Sequence, residues 1–178
     1  PVDTLQLGLT LTRALMYVHA NGLLHRDLKP SNIGFAATGA PKLLDFGLAT
    51  LMTPSTDVHR QPGSSATAAG TATFAGTPAY LPPEAYHGAP PTVAFDLWAL
   101  SVVMLEAMIG VNPFAAADEA RPFHRRRNGA SLDVYPHLRD LPPALRPFFE
   151  RALAHRPQHR FHTAFEIHAA LEAAASSA

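Results

Sequence analysis

Asp27, Lys29 and Asn32 fall within six residues of one polar stretch, HRDLKPSN (His25–Asn32), and Asp45 follows Asp27 by 18 positions. Phosphoryl transfer asks little covalent work of a protein. It needs a carboxylate near the attacking hydroxyl, oxygen ligands for a metal, and positive charge to match phosphate. Asp27 has the chemistry for the first task and Lys29 for the third. Asn32 and Asp45 carry the hard oxygens that suit Mg²⁺.

These residues need elements that bring them together. Asp3 to Ala20 reads as a helix, because Leu11, Leu15 and Val18 follow i, i+4, i+7 and Leu5 and Leu9 extend the apolar face. Asn21-Gly22 stops it, since both residues tolerate positive φ. Leu23-Leu24 is a very short strand before the polar stretch. Ile33 to Phe35 and Lys42 to Leu44 read as two short strands, with Thr38-Gly39-Ala40 as the turn between them. Such a hairpin returns the chain beside its own start, so Asp45 can meet Asn32 around one metal ion.

Leu51 to Thr73 is rich in Ser, Thr, Ala, Pro and Gly, has no period, and reads as a loop. Pro82-Pro83 breaks any element there, and a short helix follows. Asp96 to Ile109 is apolar nearly all round and is expected in the core, ended by Gly110 and Pro113. An exposed helix is expected over 117–127, and closing helices over Pro143 to Ala154 and Thr163 to Ala174. No internal repeat is present. The expected fold is mainly α with a small β-hairpin insert.

A chain of 178 residues suffices for one domain with a core, and only 16% charged residues against 47% hydrophobic ones argue for folding over disorder. A formal net charge of zero speaks against a general nucleic-acid binder. Without cysteine there are no disulfides or thiolate zinc sites. The most apolar run, Leu97 to Gly110, contains Glu106 and falls short of the ~20 residues of a membrane span. With no targeting segment either, the expected location is cytoplasmic. His155 and His159 stand at i, i+4, but Pro157 lies between them and no Glu follows His155, so they do not read as zinc ligands. Arg125-Arg126-Arg127 reads as a solvated helix end.

The order and spacing of the polar motifs resemble a eukaryotic-type serine/threonine protein kinase, with a bacterial style of sequence. His25-Arg26-Asp27 matches HRD and Asp45-Phe46-Gly47 matches DFG. Gly76-Thr77-Pro78-Ala79-Tyr80-Leu81-Pro82-Pro83-Glu84 resembles the end of an activation segment. Asp96-Leu97-Trp98-Ala99-Leu100-Ser101 resembles the DxWxxG start of a long central helix, with Ser101 in place of Gly. Pro157 and Arg160 resemble the late Pro-x-x-Arg element.

The resemblance covers residues 1–178 as a partial kinase domain, the C-terminal lobe. Its catalytic loop is 25–32, its activation segment 45–84, and its helical remainder 85–174. It implies ATP and Mg²⁺ as cofactors and a Ser/Thr-bearing protein as substrate. Asp27 is then the base, Lys29 meets the transferred phosphate, and Thr77 bonds to both. Asn32 and Asp45 are the implied Mg²⁺ ligands. His25 packs, and Phe46, Gly47 and Asp96 are structural. Glu84 and Arg160 form a buried ion pair. Arg26 implies regulation by a phosphate in the activation segment, with Thr71 and Thr73 as the candidate autophosphorylation sites.

A complete kinase also has an N-terminal lobe with a Gly-rich loop, a strand lysine and a helix glutamate. The only lysines here are Lys29 and Lys42, and before His25 the only acidic residue is Asp3 and the only glycines are Gly8 and Gly22. The expectation is a piece of a longer kinase, weak or inactive alone, with an exposed apolar face where the other lobe docks. The alternatives are a natural lone lobe acting as a non-catalytic docking module, and a decayed gene product. Small-molecule phosphotransferases share the Asp…Asn…Asp logic but lack the segment at 76–84.

Overall fold

The computed structural model describes residues 2–51, 77–115 and 135–176. Helix α1 (Val2–Ala20) turns its Leu11 and Leu15 fully inward, with Leu5 and Val18 beside them. Gly8 shares that face. A Cβ there would stand 2.7 Å from Met104 Sδ and 3.1 Å from Leu171, so the missing side chain lets three helices approach closely. Gly22, at φ +71°, ends the helix and turns the chain into strand β1 (Leu23–Leu24).

Strands β2 (Ile33–Phe35) and β3 (Pro41–Leu43) pair antiparallel, with Ile33 opposite Leu43 and Phe35 opposite Pro41. The second strand thus lies one residue earlier than the sequence suggests. Leu44 still bonds across, its N–H donating to Asn32 O at 2.8 Å. Pro41 joins because an edge position asks no N–H of it. Gly39, at φ +80°, closes the turn. Strand β4 (Thr50–Leu51) returns to pair with β1. Several large apolar side chains of this region are exposed: Phe35, Leu44, Phe46, Leu48 and Leu51.

Two 3₁₀ turns, Pro78–Tyr80 and Pro83–His87, lead to helix α2 (Val93–Ile109), which begins one turn before the expected Asp96. Every residue from Phe95 to Leu105 is buried, so α2 is the axis of the core. Ser101 donates its hydroxyl to Leu97 O at 2.8 Å, which satisfies it inside the helix. Gly110 sits at φ +79° and its N–H caps Glu106 O at 2.8 Å.

The short helix α3 (Tyr135–Leu138) follows. The expected helix from Pro143 begins instead as a 3₁₀ turn, Pro143–Leu145, before α4 (Arg146–Ala152). Pro147 has no N–H to give to the carbonyl of residue 143, so an α turn cannot form there. Helix α5 (Ala164–Ser176) starts where Thr163 Oγ1 accepts the Glu166 N–H at 3.1 Å. It packs along α1, where the hydroxyl of Thr12 lies 2.8 Å from His168 Nδ1. Phe149, Leu145 and Leu171 join Trp98, Leu100 and Met104 in one core. Among the described residues no helix is long and apolar enough to cross a membrane. The loop expected after Leu51 and the helix expected over 117–127, with Arg125 to Arg127, lie outside the described residues.

Candidate active site

The loop that carries Asp27 is built on one buried carboxylate. Asp96, in the first turn of α2, is 1% exposed. Its Oδ2 accepts the His25 N–H at 2.9 Å, and its Oδ1 accepts the Arg26 N–H at 2.8 Å. Arg26 stands at φ +69°, a left-handed conformation that costs a residue with a Cβ ~1–2 kcal/mol. The two charge-assisted bonds to Asp96 offset that cost and turn the next residue, Asp27, toward the site. The His25 ring is fully buried. Its Nε2 donates to Leu44 O at 3.1 Å, and its ring centroid lies 4.8 Å from that of Phe46, the two rings tilted by 56°.

Around Asp27 the side chains converge. Lys29 Nζ lies 2.7 Å from its Oδ2. The Thr77 N–H and hydroxyl both donate to its Oδ1, at 3.2 and 3.1 Å. Lys29 also donates to Thr77 Oγ1 at 2.9 Å, closing the triangle. Burial alone would raise the Asp27 pKa. The hydrogen bonds from Lys29, Thr77 and Asn32, with the charge of Lys29, more than cancel this and hold it below the ordinary carboxylate value. Asp27 is therefore ionised and accepts only.

Asn32 spends its amide nitrogen on Asp27, donating to the backbone O at 2.8 Å and to Oδ2 at 3.1 Å. That leaves its Oδ1 as the atom for a cation. The Leu44 N–H bond to Asn32 O brings the end of the hairpin back to Asn32, one residue before Asp45. Asp45 is exposed and stands at φ +56°, and its Oδ1 accepts the Gly47 N–H at 3.0 Å. Among the described residues no three His, Asp or Glu side chains cluster as a ready metal cage. The oxygen donors of Asn32 and Asp45 are of the kind that suits Mg²⁺ rather than zinc.

The segment after Thr77 is anchored from below. Arg160, 3% exposed, grips Glu84 with two parallel bonds, Nη1 to Oε1 at 2.8 Å and Nη2 to Oε2 at 3.0 Å. Its remaining donors reach Ala154 O at 2.6 Å and His155 O at 2.8 Å, and its guanidinium lies 4.4 Å from the Trp98 ring. Tyr80 donates its hydroxyl to Glu106 Oε2 at 2.8 Å. Burial and the Glu106 carboxylate push that hydroxyl up to about 12. Thr71 and Thr73 lie outside the described residues.

Sequence reasoning did not find Tyr80, Glu106 or His19 as parts of this framework. His19 Nε2 is 2.9 Å from Asp96 Oδ2. None of the three sits in a pattern whose spacing reveals its partner, because the contacts span 26 and 77 positions of sequence.

The protein kinase domain profile matches residues 4–172. Over 144 residues the chain is 35% identical to 3-phosphoinositide-dependent protein kinase 1 of Arabidopsis thaliana, covering 75% of this chain and 29% of that protein. It is 31% identical to serine/threonine-protein kinase PknB of Mycobacterium leprae, covering 96% of this chain and 26% of that protein. It is 35% identical to serine/threonine-protein kinase PknK of Mycobacterium tuberculosis, covering 93% and 14%. The chain thus spans less than a third of the length of these curated relatives.

Proposed function

The chain belongs to the eukaryotic-type serine/threonine protein kinase family, and on that premise we propose that it carries the substrate-side half of an enzyme that moves the ATP γ-phosphoryl group to Ser or Thr hydroxyls of proteins. The observation that carries this reading is the convergence of Lys29, Thr77 and Asn32 on the Asp27 carboxylate.

In the reaction the substrate hydroxyl oxygen bonds to the γ-phosphorus, the bond to the β,γ-bridging oxygen breaks, and ADP departs. The hydroxyl proton passes to Asp27 and then to solvent. A carboxylate whose pKa is held low is a weak base. Asp27 thus acts first by orienting the hydroxyl and takes the proton late, once bonding to phosphorus has made it acidic. Lys29 places its charge beside both Asp27 and the incoming phosphoryl group. Thr77 holds Asp27 and Lys29 in register and tethers the activation segment to the catalytic loop. Asn32 and Asp45 are the residues to hold Mg²⁺, which when bound with ATP neutralises phosphate charge.

The exposed apolar side chains of Leu44, Phe46, Leu48 and Leu51 belong to the surface we assign to an N-terminal lobe. A domain that spends ATP belongs on the cytoplasmic side. A purely docking role would need neither the strain at Arg26 nor the charge placed around Asp27.

The test is phosphate transfer to a Ser/Thr peptide library by the complete protein, with and without Asp27→Asn. A fall of ~10²–10⁴ in kcat is expected for the variant. A wild-type protein that transfers no phosphate, or a variant as fast as wild type, would overturn the reading.

A further inference from the structure

Two 3₁₀ turns follow Thr77, Pro78–Tyr80 and Pro83–His87, and the side chain of Tyr86 joins them. Tyr86 is 7% exposed and donates its hydroxyl to the Pro78 carbonyl. That carbonyl also accepts the Leu81 N–H at 3.2 Å, but this bond closes the first turn and moves with it. The Tyr86 bond comes from outside the turn. The Tyr86 ring belongs to a small separate core with Leu81, Ala85 and Phe95. Two positions earlier, Glu84 is fixed to Arg160.

We propose that Tyr86 is a positioning residue for phosphoryl transfer, acting through Pro78 on Thr77. The pyrrolidine ring of Pro78 fixes φ, and the bond from Tyr86 holds its carbonyl and with it ψ. Pro78 thereby becomes a stiff link between the anchored second turn and Thr77. The N–H and hydroxyl of Thr77 both donate to Asp27 Oδ1, and its hydroxyl accepts from Lys29 Nζ at 2.9 Å. A small rotation of Thr77 therefore disturbs the carboxylate and the ammonium together. Tyr80 steadies the far end of the first turn through Glu106, and Tyr86 steadies the end next to Thr77. The proposal rests on the kinase reading for its effect on rate, but not for its effect on Thr77.

The test uses two variants of the complete protein. Tyr86→Phe removes the hydroxyl and keeps the ring in its small core. Tyr86→Leu removes both. The Pro78 carbonyl keeps the Leu81 N–H in either case, so the Phe variant should melt close to wild type, whereas the Leu variant should melt lower. Steady-state kinetics is the first readout. There kcat should fall about fivefold in both variants alike, with KM for ATP within about twofold. Amide hydrogen exchange is the second. The Thr77 N–H should exchange about fivefold faster in both variants, with the buried amides of α2 unchanged in Phe.

A wild-type kcat in Tyr86→Phe would overturn the proposal, and so would wild-type exchange at Thr77. So would activity that follows the melting temperature, intact in Phe and lost in Leu, which is the mark of a residue that only fills its core. A complete wild-type protein that transfers no phosphate would defeat the kinase reading instead, and exchange at Thr77 in Tyr86→Phe would then decide whether Tyr86 sets that residue.

Discussion

The catalytic loop and the Asp45-Phe46-Gly47 turn both place a non-glycine residue in the left-handed region, Arg26 at φ +69° and Asp45 at φ +56°. They hold that strain very differently. Around Arg26 a fully buried carboxylate accepts the strained residue's own amide, and Lys29, Thr77 and Asn32 fix the next residue. Around Asp45 the bonds are local: Gly47 N–H to Asp45 Oδ1, and Ala49 N–H to Phe46 O at 3.0 Å. Phe46 rests on His25 yet remains 43% exposed. Strain persists only where its surroundings over-determine it. The described residues over-determine Asp27 and leave Asp45 lightly held. The Asp27 side of the site is thus pre-set by the helical framework, whereas the bonds around Asp45, proposed above as a Mg²⁺ ligand, are local.

The harshest way to break this contrast is to release the pre-set half from below. Glu84 and Arg160 fix the segment that delivers Thr77 to Asp27, and removing Glu84 leaves a guanidinium buried without its carboxylate. Glu84→Ala should cost ~3–5 kcal/mol, seen as a lower denaturant midpoint with little change in slope. A midpoint equal to wild type would show that the remaining bonds of Arg160, to Ala154 O and His155 O, suffice to hold it.

A milder change sharpens the same half through pH. Tyr80→Phe removes the hydroxyl bond to Glu106 and should cost about 1 kcal/mol at neutral pH. A tyrosine pKa raised from ~10 to about 12 on folding means that the folded state binds the proton more tightly. That stability is complete below pH ~10 and is lost as pH rises toward about 12. The Phe variant should lose this alkaline dependence. Asp27 works at the opposite end, with the opposite sign. Its lowered pKa gives stability that is complete above its ordinary ~3.9 and is lost as pH falls below that value. Between pH 5 and 8 neither group should titrate in a stability profile.

The sequence revealed the parts whose chemistry or periodicity is local. The face of α1, the apolar α2, the hairpin and its turn at Gly39 were all readable, and so was the closeness of Asp27, Lys29 and Asn32. Boundaries drifted at prolines: Pro147 lacks the N–H that an α turn needs, and Pro41 joins its strand where no N–H is asked of it. What stayed hidden was the framework of long-range polar contacts. Asp96 could be singled out as structural, but not as the acceptor for two amides and an imidazole. Tyr80 and Glu106 lie 26 positions apart, one in a 3₁₀ turn and the other near the end of a buried helix, and no pattern of period 2 or 3.6 links them. Helix packing makes those pairs, and packing is not written in local spacing.

The smallest expected change in stability falls in the lightly held half and is the most informative about it. A Cβ added at Gly47 would stand 2.9 Å from Asp45 Oδ1, so Gly47→Ala must push the carboxylate off its position. Gly47 is exposed and its backbone is not in the left-handed region. The fold should therefore notice within about 0.5 kcal/mol. The metal side should notice more. With Asp45 displaced and Asn32 unmoved, Mg²⁺-dependent ATP binding by the complete protein should weaken about 10-fold, while phosphate-independent properties such as the melting temperature stay put. A Gly47→Ala variant that melted several degrees lower would mean that the turn is welded into the lobe after all. In that case the two halves of the site would be equally pre-set, and the contrast between Arg26 and Asp45 would be one of burial alone.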